Sequence, residues 1–184
     1  FDPELLFGAR NAVRVCLRIQ PHEKVTLITD QVSMEIAAAL EAALQELGAA
    51  YRVFVLEDLA PRPLTDMPRH VLQDMETSQV SIFAVVAQRN ELRSRMQMTD
   101  VVNRCKIRHA HMVNIEKRIM LEGMKADYLA VDDLSLRLLE ITRPAKRIRA
   151  TTAAGTDITA TMNPEYKWLK TSGIISPNTW GNLP

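Results

Sequence analysis

Apolar residues at Leu5, Ala9, Ala12, Val13, Cys16 and Leu17 return every three or four positions, the period of a helix that buries one face, and Pro21 bounds it. Asp2 before Pro3 and Glu4 marks the start, because a carboxylate accepts from free amides and proline tolerates a first turn. The pattern then changes to K-V-T-L-I-T-D, Lys24 to Asp30, a short β-branched run with little polar interruption. Such a run predicts a strand buried on both faces. From Ser33 as cap, Ile36, Leu40, Ala43, Leu44 and Leu47 restore the helical period until Gly48 stops it. Tyr51 to Leu56 predicts a second strand.

The alternation continues beyond a loop punctuated by Pro61, Pro63 and Pro68. A helical stretch around Val71 to Met75 leads into V-S-I-F-A-V-V, Val80 to Val86, the strongest strand pattern in the chain. Glu91 to Asn103 predicts a helix, Arg108 to Ile115 a strand and Glu116 to Gly123 a short helix. Asp132 or Asp133 then caps a longer helix through Arg143. Strand–helix–strand repetition is satisfied by right-handed crossovers in a parallel sheet. The expected fold class is therefore α/β, a three-layer, Rossmann-like, mostly parallel sheet with helices on both faces. From Pro144 the pattern changes to two Thr-rich strand segments, R-I-R-A-T-T and T-D-I-T-A-T, around Ala153, Ala154 and Gly155. That is a β-hairpin with glycine at the position that needs an unusual backbone angle. Residues 1–143 are expected to form an α/β domain, and residues 144–184 a β-rich appendix that begins a second one.

With 47% of its 184 residues apolar, the chain can bury one substantial core. A net charge of +1 gives no general pull toward nucleic acid or an anionic membrane. The average conceals 14 Lys/Arg against 8 Asp/Glu between Arg89 and Arg149, and 9 against 14 elsewhere. The basic stretch lacks interleaved aromatics, so it reads as solvated helix faces meeting an acidic partner surface and not as a nucleic-acid patch. No apolar run reaches the roughly eighteen residues of a membrane span, and the opening F-D-P-E-L-L has no signal-sequence character. Cys16 and Cys105 have no paired spacing and read as small buried hydrophobes in a reducing compartment. The expected location is the cytoplasm, with no membrane and no nucleic acid as partner.

Candidate chemistry is sparse. In R-H-A-H-M-V-N, His109 and His111 are two apart, so on a strand both imidazoles project to one face, where they could share a metal ion. No third ligand has a defensible spacing, and the favoured reading is a pair lining the exposed or half-buried face of an edge strand next to Arg108. Asp30 ends the first predicted strand, where open α/β sheets bind ligands. No G-x-G-x-x-G or G-K-[ST] accompanies it, so a helix-capping role is favoured there over phosphate binding. No G-x-S-x-G elbow appears, and neither cysteine has a nearby histidine in an electropositive setting. The Met-rich stretch from Met96 to Met124 reads as core and interface filler.

Four segments nevertheless recur in a recognisable order: Q-P-H-E-K-V at Gln20 to Val25, G-M-K-A-D-Y at Gly123 to Tyr128, G-T-D-I at Gly155 to Ile158, and N-L-P at Asn182 to Pro184. The chain resembles the amino-terminal portion of the thermophilic metallo-aminopeptidase family, the aminopeptidase T and aminopeptidase S type. His22 stands where glycine is usual in that family. The resemblance implies a peptide substrate, zinc or cobalt as divalent cofactor in the intact protein, and a homodimer. It also implies that residues 144–184 lead into a metal-binding carboxyl-terminal domain. The family's first ligand carboxylate follows N-L-P, so the sequence breaks off at Pro184 just before it. On this reading no residue of the span holds the metal or performs catalysis, the chain alone is inactive, and Trp180 and Asn182 border the substrate site or pack between domains. An iron-dependent ring-cleaving dioxygenase of the dihydroxypyridine dioxygenase type is similar in scaffold and is the alternative. A third reading is a non-catalytic domain in which His109 and His111 hold a metal.

Overall fold

The computed structural model describes residues 1–183, so Pro184 and the expected break at that proline lie outside the described residues. In chain order the elements are α1 (Leu5–Arg10), continued by a π-helical stretch Asn11–Cys16, β1 (Lys24–Thr29), α2 (Met34–Leu47), β2 (Ala50–Val55) and α3 (Leu56–Leu59). They continue with α4 (Arg69–Glu76), β3 (Val80–Val85), α5 (Leu92–Cys105), β4 (Arg108–Val113) and α6 (Lys117–Leu121), then a 3-10 turn Gly123–Lys125 and α7 (Tyr128–Thr142). Strands β5 (Arg147–Thr151), β6 (Asp157–Thr161) and β7 (Trp180–Asn182) complete the chain.

Five strands make a wholly parallel sheet in the order β2-β1-β3-β4-β7. Alternation along the strands divides the core in two. Leu27, Ile82, Ala84, Ala110 and Met112 pack under α1, α2 and α6, whereas Ile28, Phe83 and Val85 pack under α4 and α5 through Val71, Met75, Met98 and Val102. The architecture is thus the three-layer α/β arrangement that the sequence predicts. Gly8 in α1 permits the crossing with α6, because a Cβ there would sit 2.6 Å from the Met120 carbonyl oxygen. Gly8→Ala is expected to cost about 1–3 kcal/mol through overpacking, read as a lower urea midpoint.

The hairpin β5–β6 is antiparallel and turns through Gly155 at φ 101°, as its sequence predicts. Ser172 to Leu183 returns to the α/β body: the Ile175 amide donates to the Cys16 carbonyl at 2.9 Å, and β7 pairs with β4. Some local expectations are corrected. Helix α7 begins at Tyr128 because Asp127 accepts the Leu129 and Ala130 amides, while Asp132 lies within the helix and binds Lys170 and Ser172. The Ser33 hydroxyl is buried without a partner among the described residues, and Asp30 takes the Ser33 amide at 2.8 Å. Cys16 is buried, its thiol pushed up to about 12 by burial, but Cys105 is exposed at the end of α5. Among the described residues no helix is long and apolar enough to cross a membrane.

Candidate functional site

Because side chains alternate along strands, the register decides which candidates meet. Ser81 on β3 pairs with His109 on β4, which pairs with Trp180 on β7. One step along, Phe83 pairs with His111 and His111 with Asn182. All six side chains therefore face the α5 layer, and the four residues singled out from the sequence, His109, His111, Trp180 and Asn182, lie together on it. His111 stacks on Phe83 with ring centroids 5.4 Å apart and lies in a T-shaped arrangement with Trp180 at 6.1 Å.

The polar atoms form a chain leading outward from the core. Ser81 Oγ lies 2.8 Å from His109 Nδ1, and His109 Nε2 lies 3.2 Å from His111 Nδ1. Ser81 and His109 have no exposed surface, and β4 lies between β3 and β7, so the histidine pair does not lie on the expected edge strand. The Ser81 hydroxyl has His109 as its one partner among the described residues, so it donates there; an unmade buried donor costs about 1–3 kcal/mol. His109 Nδ1 then accepts, its Nε2–H donates to His111 Nδ1, and His111 carries its proton on Nε2. Burial and then the neighbouring His111 push His109 down to about 3, and burial and then the positive charge of Arg95 push His111 down to about 4. Both rings are neutral at pH 7.

His111 opens onto a cavity of about 410 Å³ between α5 and the edge strand β7. Arg95, Met96 and Asn103 line it from α5, Trp180 and Asn182 from β7. Arg95 Nε is buried with no hydrogen-bond partner among the described residues. Its helix neighbours are different: Arg93 pairs with Asp66 at 2.9 Å, and Arg104 pairs with Glu76. The cavity thus presents a guanidinium without an acidic partner among the described residues and an imidazole N–H beside the indole.

The histidine pair does not fit a metal ion. Both nitrogens of His109 are engaged, His111 Nδ1 faces another imidazole, and no group of three or more His, Cys, Asp or Glu side chains suited to a metal occurs among the described residues. His70 is elsewhere, tilted on Phe54 at 5.7 Å.

The place where open α/β sheets receive ligands, at the carboxyl ends of β1 and β3, is filled from within. Arg62 lies there with 3% of its side chain exposed, against 0% for Asp30 and 4% for Glu91. It donates to Asp30 Oδ2 at 2.8 Å, to both Glu91 oxygens at 2.8 and 2.5 Å, to Glu57 at 3.2 Å and to the Val86 carbonyl at 2.7 Å. Burial would push Glu91 up, but Arg62 and the Leu64 and Gln88 amides outweigh it and hold the carboxyl at about 2. Asp30 accordingly caps and anchors, accepting also from the Val86 amide at 2.7 Å. Sequence reasoning missed Arg62, Glu91, Arg95 and Ser81. Only Ser81 carried a signal, as the single polar residue inside V-S-I-F-A-V-V.

The sequence matches no family model and no curated protein. The fold is similar to that of 2,5-dihydroxypyridine dioxygenase from Pseudomonas putida KT2440, at TM-score 0.62 and 13% identity, over 97% of this chain and 53% of that one. It is also similar to AmpT, an aminopeptidase from Thermus thermophilus, at TM-score 0.57 and 13% identity, over 88% of this chain and 54% of that one. The chain spans about half the length of these two proteins.

Proposed function

We propose that this chain is the α/β scaffold portion of a metal-dependent aminopeptidase, with the zinc or cobalt centre and the peptide-bond chemistry supplied by residues outside it. The observation that supports the reading is where the four recurring segments fall. In the first, Glu23 pairs with Arg108 and accepts the Gln20 amide at 2.8 Å, tying the turn before β1 to the start of β4. In the second, Asp127 caps α7 and Tyr128 is buried under Gly173. The third forms the hairpin turn, and the fourth contributes Asn182 and the buried Leu183 beside the His111 strand. Segments shared in order that also form the joints of the fold suit a common scaffold. Trp180 and Asn182 then border the substrate side, and the active assembly is a homodimer in the cytoplasm.

The experiment is release of p-nitroaniline from leucyl-p-nitroanilide with zinc or cobalt present. The span 1–184 alone is expected to release none, and a chain extended past Pro184 into a metal-binding domain is expected to be active. Metal-dependent release by the span alone overturns the assignment. Light scattering of the extended chain is expected at twice the monomer mass. The second reading, the same scaffold beneath an iron-dependent ring-cleaving dioxygenase, is supported by the fuller coverage in that comparison, 97% against 88% of this chain. Oxygen uptake on 2,5-dihydroxypyridine with ferrous iron, without anilide hydrolysis, would select it.

A further inference from the structure

The geometry points to a binding site for a small carboxylate with an apolar, preferably aromatic, body in the cavity between α5 and β7, held by Arg95 and His111 against Trp180. Three observations carry it. First, among the described residues no carboxylate pairs with the Arg95 guanidinium, and its buried Nε has no hydrogen-bond partner. The two Nη groups, which unlike Nε are not closed off from solvent, form a planar pair of donors that matches a carboxylate with two parallel hydrogen bonds, and such charge-assisted pairs are stronger than neutral ones. Second, the Ser81–His109–His111 chain fixes the proton of His111 on Nε2, so the imidazole adds a donor beside the cation and no competing acceptor. Asn103 and Asn182 bring amide groups to the same rim.

Third, the remaining wall is apolar. Trp180 is 46% exposed and Met96 56% exposed, both lining the same cavity, and the volume of about 410 Å³ suits a small molecule. A bare inorganic anion would leave these surfaces wet, whereas an aryl carboxylate covers them while its oxygens reach Arg95. The site belongs to the α/β chain itself, so it stands whether the chemistry outside the chain is peptide hydrolysis or ring cleavage.

The probe is benzoate, titrated into the 184-residue chain by calorimetry, with benzamide as its uncharged counterpart. Saturable benzoate binding is expected, weakened about tenfold or more in R95Q, where a charged hydrogen-bonding partner is lost. R93Q, which alters the adjacent exposed arginine, is expected to bind as the parent does, and benzamide to bind at least about tenfold more weakly than benzoate. Nitrogen-15 spectra of the histidine rings are expected to show His111 protonated on Nε2, with that preference lost in Ser81→Ala. Absence of saturable benzoate binding, equal binding of benzamide, or undiminished binding by folded R95Q overturns the proposal. An Nδ1-protonated His111 removes the second donor and also overturns it as stated.

Discussion

Arg62→Met is expected to lower the free energy of unfolding by about 3–5 kcal/mol at pH 7, read from urea denaturation, because it leaves two buried carboxylates without their cation. Arg62 satisfies its five donors through five hydrogen bonds, and Asp30 and Glu91 are as buried as it is. Arg62→Lys keeps the charge but loses the bidentate fork on Glu91, so a loss of about half that size is expected. The pH dependence tests the cause. Glu91 has a folded value of about 2 against an ordinary 4.5, so its contribution is present above pH 4.5 and is lost as pH falls toward 2. Without Arg62, burial raises Glu91 in the folded state, and it gains a proton on folding as the solution is acidified. The deficit of the variant should therefore narrow steadily from pH 7 to pH 4. A deficit independent of pH would assign the loss to packing alone.

Gly173→Ala is the second large effect. The residue adopts φ 82°, where a side chain is strained, and a Cβ would lie 2.5 Å from Tyr128 Cδ1. The tyrosine is 5% exposed, and its hydroxyl bonds to the Gly123 carbonyl at 3.2 Å, so the ring has little room to give. A loss of about 2–4 kcal/mol is expected from strain and overpacking together. Gly155→Ala is the control. It also has a positive φ, 101°, but nothing lies within 4 Å of the added Cβ, so a cost of about 1 kcal/mol is expected. Gly173 also guides the chain toward β7. In Gly173→Ala the Ile175 and Leu183 amides, which bond to the Cys16 and His111 carbonyls, should exchange faster than amides of β1 and β3.

Much of this fold was legible because local signals and tertiary demands agree. Val80 to Val86 is apolar enough to cross a sheet buried on both faces, and Gly48 ends α2 in the left-handed conformation that its position predicts. The i, i+2 spacing placed His109 and His111 on one face correctly, because period 2 needs no knowledge of partners. What neighbours they meet was not legible. β7 is three residues long and has a glycine at its centre, so nothing periodic marks it, and its pairing with β4 is a contact distant in sequence. Arg62 sits in a proline-punctuated loop where a buried cation looks like any solvated one. Arg95 is one of several arginines on α5, and only packing shows that among the described residues it has no acidic partner such as Arg93 and Arg104 have. In sequence Asp127 is no stronger a cap signal than Asp132 or Asp133, and only the amides it accepts single it out.

The parallel edge strand has a consequence for how the molecule is assembled in time. β4 is complete at Val113, but the segment that covers its outer edge arrives only at Trp180, after α6, α7 and the hairpin have been made. During synthesis β4 therefore presents unpaired amides and carbonyls, the kind of border that recruits foreign strands. The pairing also closes a long loop and so belongs among the slow steps of folding. The anion-receptive cavity shares that border, and it is finished by a strand synthesised long after β4.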